Sequence, residues 1–247
     1  MLFRSYVGSQ DLATYLVTTP EGHILINSGF EETVPLIRDA VQTLGFKPTD
    51  VKLILASHAH SDHVAGHARL KELTGARVVV MAGDEEVIRK GGEGQYLYTD
   101  QRWTPCPVDR VLKDREQLTL GGVTLTAHRT AGHTPGCTTW TWRTTDRGQP
   151  LDVVVIGSPN VNPGYQLVGN TVYPAIAADY AATFRRLKSL PCDIFLGAHG
   201  DYYRLPAKHD RLKTSEGNPF IDPQGYADYR SEEHTSELQS PCNLVCR

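Results

Sequence analysis

The segment Ser57-His58-Ala59-His60-Ser61-Asp62-His63 gathers three imidazoles and one carboxylate. It directly follows the apolar run VKLILA (residues 51–56), which reads as a short buried strand, and it precedes a helical pattern. In an extended segment residues i and i+2 face the same way, so His58 and His60 can offer two imidazoles to one cation. The chain then turns into a helix, which points Asp62 and His63 towards a second cation nearby. Imidazole and carboxylate suit zinc, and the harder Asp also tolerates manganese or iron. A lone histidine is usually structural or exposed, but surface decoration does not explain this density. Two further histidines sit where strands end: His133 in Thr130-Ala131-Gly132-His133-Thr134-Pro135-Gly136, and His199 in Phe195-Leu196-Gly197-Ala198-His199-Gly200. Small neighbours there let backbone approach closely. Alone, either is as readily structural as ligating; beside the main cluster the ligand reading gains.

The elements that must hold these residues are legible as patterns. Residues 12–18 alternate and carry Tyr15 and Val17, Pro20-Glu21-Gly22 makes a turn, and residues 23–27 return, so a hairpin is expected. Val34, Ile37, Val41 and Leu44 recur at helical spacing, with Gly45 as a stop. Residues 64–73 read as a helix and residues 77–81 (RVVVM) as another buried strand. Residues 91–107, rich in Gly, Tyr and Thr, read as a long loop, and such loops are often functional. Three more strands are expected at 123–127, 138–142 and 153–156. Ile176, Tyr180, Phe184 and Leu187 mark the core face of a helix, and 193–196 is a last short strand. Strands come in two runs, each followed by helices. That order fits one α/β domain built as a four-layer αββα sandwich.

Length and composition agree: 247 residues, 40% hydrophobic and 21% charged, suit a globular chain with a real core. A net charge of −3 leaves no basic surface to argue for nucleic acid, and no apolar run reaches membrane-spanning length. Five cysteines, an odd number without a Cys-x-x-Cys pair, argue against a thiolate zinc site or a dense disulfide scaffold.

Both ends look foreign to the domain. Residues 230–240 (RSEEHTSELQS) resemble the translation of a common short-read sequencing adapter, and Leu2-Phe3-Arg4-Ser5 resembles the end of the opposite one. Residues 1–5 and 230–247 are therefore expected to lie outside the fold, which leaves a domain over 6–229. Helical apolar spacing begins near Pro223 and is expected to be lost after Tyr229. Setting the ends aside removes Arg4, Arg230 and Arg247 against Glu232, Glu233 and Glu237, so the core stays at −3. Cys106, Cys137 and Cys192 remain.

HAHSDH (residues 58–63) resembles the His-x-His-x-Asp-His motif of the metallo-β-lactamase superfamily. TAGHTPGCTTW (130–140) and FLGAHG (195–200), with GSPNVNPGY (157–165) between them, resemble subclass B3 metallo-β-lactamases. The likeness covers nearly all of residues 6–229. It implies two Zn2+ ions, the first held by His58, His60 and His133 and the second by Asp62, His63 and His199. The implied chemistry is β-lactam amide hydrolysis by a zinc-activated hydroxide, with Asp62 orienting it and no acyl-enzyme. Ser158 and Asn160 resemble positions that hydrogen-bond the substrate carboxylate, although a satisfied loop turn explains them equally well. The resemblance further implies a monomer acting on small-molecule β-lactams, carbapenems among them, with no nucleic-acid or membrane partner. It also implies periplasmic or secreted antibiotic resistance, with a leader peptide lost from the original N-terminus. Cys192 resembles a half-cystine whose partner lies further on, so a free thiol is expected here.

Two departures matter. Thioesterases, lactonases and ribonuclease Z relatives of this superfamily place a metal-bridging Asp where this chain has Gly157-Ser158-Pro159, and Asp152 stands before the expected strand. Asn27 occupies a position where Asp is frequent. The remaining residues carry plain structural readings: His23 and His128 on strand faces, His67 and His209 exposed on helices, and Cys137 a small buried hydrophobe. Tyr96, Tyr98 and Trp103 are better explained by loop packing than by walling the site. The rival functions are a di-metal lactonase or glyoxalase II-like thioesterase on the same fold, and a non-catalytic metal-binding domain.

Overall fold

The computed structural model describes residues 6–214 and 217–236. Two five-stranded sheets face each other. The first holds β1 (Tyr15–Thr19), β2 (Gly22–Ile26), β3 (Val51–Leu55), β4 (Arg77–Met81) and β5 (Arg110–Leu112) in that spatial order. Only the β1–β2 pair is antiparallel there. The second sheet is built from β6 (Glu116–Leu120), β7 (Val123–Arg129), β8 (Thr138–Asp146), β9 (Gln149–Ile156) and β10 (Ile194–Gly197). Its neighbours are antiparallel except β9 and β10. Helices α1 (Val34–Thr43), α2 (Ser61–Val64), α3 (His67–Thr74) and α4 (Glu85–Arg89) follow strands of the first sheet. Helices α5 (Ile176–Ser189), α6 (Leu205–Leu212) and α7 (Pro223–Ser236) accompany the second. Among the described residues no helix is long and apolar enough to cross a membrane.

Period-two alternation decides which side chains meet. Ile24, Ile26, Leu53, Leu55, Val79 and Met81 turn inward against Leu125, Ala127, Trp140 and Val155, forming the core between the sheets. Leu25, Ile54, Val78 and Val80 turn outward and bury Val34, Ile37 and Val41 of α1 and Leu70 of α3. Both faces of these strands are covered over most of their length, so their sequences are largely apolar, with Lys52 and Arg77 exposed towards their starts. On the other side Ile176, Tyr180 and Phe184 of α5 pack on Val161, Tyr165 and Tyr173. The αββα order expected from the sequence is the order found.

Several local expectations are corrected. The first strand starts at Tyr15, because Leu12 is drawn away into an isolated bridge with His199. The helix expected over 64–73 is broken at Gly66, where a Cβ would stand 2.8 Å from the Ser28 carbonyl oxygen. β7 runs on to Arg129. β8 and β9 extend to a tight hairpin at Arg147 and Gly148, both at positive φ, which suits a primed turn. Asp152 therefore lies inside β9, paired with Arg143 at 2.9 Å, rather than before it. β5, β6 and α4 were not foreseen. His67 is buried, not exposed: its Nδ1 lies 2.7 Å from the Ser28 hydroxyl, and burial, then the His63 charge, push its pKa down to about 3. α7 continues past Tyr229 to Ser236, with the Arg230 guanidinium donating to the Lys188 carbonyl at 2.8 Å. The expectations for residues 1–5 and 237–247, including Cys242 and Cys246, lie outside the described residues.

Candidate metal centre

The strand β3 delivers the main cluster. Two residues past its last ladder partner, Leu55, comes Ser57, whose N–H donates to Asn27 Oδ1 at 2.7 Å and whose carbonyl accepts from Thr138 N–H at 2.7 Å. These bonds pin the backbone just before His58. His60 is still extended (φ −111°, ψ 153°), and its carbonyl accepts from the N–H groups of His63 and Val64, which starts α2. The switch from extended to helical backbone turns Asp62 and His63 away from His58 and His60, as the sequence implied. His133 comes from the β7–β8 connection and His199 from the end of β10.

The rings of His58, His60 and His133 form a near-equilateral triangle, with centroids 4.8, 4.7 and 4.7 Å apart. Their ligand-type nitrogens lie within 4.8 Å of one another. Beside this triangle a second set closes more tightly. His63 Nε2 lies 3.2 Å from His199 Nε2 and 3.2 Å from Asp62 Oδ2, and His199 Nε2 is 3.6 Å from the same oxygen. His58 joins the two sets, its ring 4.2 Å from that of His63 and its nitrogen within 4.8 Å of Asp62 and His63. All six sequence-predicted donors are thus brought together.

Metal binding requires neutral imidazoles and an ionised carboxylate, and His58, His60, His133 and Asp62 are shifted in those directions. Burial first, and then the facing imidazoles, hold His58 and His60 well below the ordinary histidine pKa. Burial lowers His133 to about 4, against the opposing hydrogen bond to Asn160. Burial would raise Asp62, but His63, His199 and His60 outweigh it, and its pKa falls well below the usual carboxylate range. Ring orientation is set from behind. His133 Nδ1 donates to the Asn160 carbonyl at 2.8 Å, leaving Nε2 free, and the Tyr165 ring stacks on His133 at 5.6 Å while its hydroxyl donates to the His133 carbonyl. His199 Nδ1 meets Asp11 Oδ2 at 2.8 Å. A nitrogen-rich donor set with one carboxylate, preset from outside, fits a pair of zinc ions.

Both sets open onto a cavity of about 600 Å³ whose wall includes Phe30, Tyr98, Asn160, Asn162, Asp201 and Tyr202. A smaller cavity of about 220 Å³ near Tyr6, Tyr15 and Trp142 has no His, Cys or carboxylate in its lining. Asn160 faces the metal-site cavity. Ser158 is buried, and its hydroxyl lies 2.9 Å from that of Tyr202. Of the three loop aromatics Tyr98 reaches the cavity, its ring 4.9 Å from His60 and its hydroxyl accepting from Asn162 Nδ2 at 2.8 Å. Tyr96 packs on Tyr165 and Tyr173, and Trp103 on the outer core. His23, His128 and His209 stand apart, on β2, β7 and α6. Cys137 is buried, and burial pushes its thiol up to about 12, while Cys192 is a free thiol. Sequence reasoning missed Asp11, Asp84 and Tyr202, because no spacing rule ties them to the cluster.

Residues 12–199 match the profile of the metallo-beta-lactamase superfamily, and the chain belongs to that superfamily. Among solved structures it is 46% identical to the native FEZ-1 metallo-β-lactamase of Legionella gormanii, covering 93% of this chain and 89% of that one at a TM-score of 0.91. It is 37% identical to BJP-1, a subclass B3 metallo-β-lactamase of Bradyrhizobium japonicum (93% and 87% covered, TM-score 0.86). It is 31% identical to a class B3 di-zinc metallo-β-lactamase from an Alaskan soil metagenome (93% and 88%, TM-score 0.88). The likeness to subclass B3 expected from TAGHTPGCTTW and FLGAHG is borne out by these structures. A hydroxyacylglutathione hydrolase of Anaeromyxobacter dehalogenans is 28% identical over 142 residues, 58% of this chain, and the match spans 46% of that protein's length.

Proposed function

We propose that this chain is a zinc-dependent β-lactamase, its 6–229 domain hydrolysing the β-lactam amide of small-molecule antibiotics. His58, His60 and His133 would hold the first zinc, and Asp62, His63 and His199 the second. The observation that carries this reading is the meeting of the two donor sets at the floor of one polar cavity. A zinc pair held there would lower the pKa of water from about 15.7 towards 7 and polarise the scissile carbonyl. The protein supplies the rest. Asp62, ionised and partly exposed to the cavity, accepts a hydrogen bond from the attacking water and sets its direction. Asn160 on the cavity wall takes the substrate carboxylate, and Ser158, buried behind that wall, acts on it through the Tyr202 hydroxyl it holds. Tyr98 and Phe30 bound the cavity on its apolar side. The same reading makes the protein a monomeric periplasmic or secreted resistance enzyme that accepts carbapenems.

The thioesterase reading draws on the hydroxyacylglutathione hydrolase match. Against it stands Ser158, a hydroxyl where those enzymes place a bridging carboxylate. The test follows carbapenem absorbance in the ultraviolet with zinc-loaded protein, before and after chelation, beside a hydroxyacylglutathione thioester. Carbapenem turnover lost on chelation and restored by zinc is the expected result. Folded protein with two bound zincs that cleaves only the thioester would overturn the proposal.

A further inference from the structure

Asp84 is a fully buried carboxylate that takes no direct part in the metal centre. It stands at the N-cap of α4, where an Asp ordinarily turns its side chain onto the first amides of its own helix. Here it makes no such cap. Its Oδ2 accepts from the Ala59 N–H at 2.8 Å and from the Thr134 hydroxyl at 2.7 Å, and its Oδ1 accepts from the Gly136 N–H at 2.8 Å. Ala59 lies between His58 and His60, and Thr134 follows His133. One carboxylate therefore joins the two separate loops that carry the imidazole triangle.

The packing around it is built for this approach. A Cβ on Gly136 would lie 2.7 Å from Asp84 Cγ, and a Cβ on Gly83 would lie 2.8 Å from the Pro135 carbonyl carbon. Glycine at both positions lets the α4 turn and the His133 loop touch backbone to backbone. Burying a carboxylate is costly, and three donors converging on it offset that cost only while both loops stay in place.

We propose that Asp84 is the positioning residue of the first metal site, holding His58 and His60 on one loop at a fixed distance from His133 on the other. This rests on the reading of those three histidines as one zinc's ligands. It follows that Asp84→Asn loosens that site in particular. The amide keeps one acceptor but, in either orientation, sets its NH2 group against a backbone N–H, that of Gly136 or of Ala59, so one strut becomes a repulsion.

The experiment measures zinc affinity by chelator competition with native mass spectrometry, and the cobalt(II) absorption spectrum, for wild type and Asp84→Asn. The urea midpoint of the metal-free proteins is measured in parallel. The expected result is about a 10–100-fold loss of affinity at the first site, the usual effect of an outer hydrogen-bond partner, with an altered cobalt spectrum. The second site and the metal-free midpoint change far less. Equal loss at both sites together with a lowered midpoint would make Asp84 a general structural residue and overturn the proposal. So would unchanged first-site affinity in a wild type that binds two zincs. A wild type that binds no zinc would instead overturn the ligand assignment itself. If Asp84→Asn does not fold, Thr134→Val removes one strut of the three. A several-fold loss confined to the first site is then expected, and no loss overturns the proposal.

Discussion

Asp11 and His199 meet at 2.8 Å, carboxylate Oδ2 to ring Nδ1, although they stand 188 residues apart in the chain. The contact is backed by main chain: Gly200 N–H donates to the Asp11 carbonyl, Ala13 N–H to the Ala198 carbonyl, and Asp201 N–H to the second Asp11 oxygen. The carboxylate fixes the proton on Nδ1 and leaves Nε2 facing His63 and Asp62. Replacing Asp11 with Ala is expected to weaken the second zinc by about 10–100-fold and leave the first nearly unchanged. Isothermal titration with zinc against a competing chelator measures this, and equal weakening of both ions would contradict it.

Asn27 sits behind His63 in the opposite sense. Its Oδ1 is occupied by Ser57 N–H, and its Nδ2, a donor, lies 3.4 Å from His63 Nδ1. An amide N–H cannot accept the Nδ1 proton that a zinc on Nε2 would leave there. The residue is fully buried at φ 68°, a conformation Asp also tolerates. Asn27→Asp is expected to tighten the second zinc about tenfold while lowering the metal-free urea midpoint, because the charge is buried. A variant of unchanged zinc affinity would show that His63 needs no acceptor behind it.

Trp140 is fully buried between the sheets, and its indole N–H donates to the Ala56 carbonyl at 3.0 Å, two residues before His58. Trp140→Phe leaves that carbonyl unpaired and the core underfilled. The loss is expected to reach at least about 1–3 kcal/mol, read as a lower urea midpoint at unchanged slope. A shift of less than about 0.5 kcal/mol, the range of an ordinary surface substitution, would mean the carbonyl finds another donor.

His128 supplies a pH dependence remote from the metals. Burial, then the Arg186 and Arg115 charges against Asp114, hold its pKa down to about 4. In the unfolded chain it returns to about 6.5. Between those values the unfolded state binds more protons, so the contribution is fully present above pH 6.5 and is lost as pH falls towards 4. The stability difference between wild type and His128→Gln should therefore shrink from pH 7.5 to pH 5, measured by urea unfolding of the metal-free proteins. The same difference at both pH values would refute the assignment.

The six donors were legible because ligand chemistry restricts residue type and because strand-then-helix geometry dictates spacing. The two sheets were legible where strands are buried on both faces, as in VKLILA and RVVVM. What stayed hidden is either short or tertiary. β5 offers only Arg-Val-Leu and α4 only five residues, too few for a period to emerge. His67 looked exposed because α3 carries few apolar neighbours, yet the Ser28 hydroxyl and the close pass at Gly66 bury it. Asp11 and Asp84 act through hydrogen bonds to segments distant in sequence, which no local pattern encodes.

The bridge between Leu12 and His199 ties the first residues of the fold to the end of its last strand. A chain emerging N-terminus first exposes His58, His60 and His133 well before His199 leaves the ribosome. The first donor set and Asp84 all precede β10 in the chain, whereas the partner of Asp11 comes just after it. Joining ends so far apart is entropically the slower step. One donor set is thus encoded wholly upstream of β10, and the other is completed by a residue that lies 136 positions beyond His63.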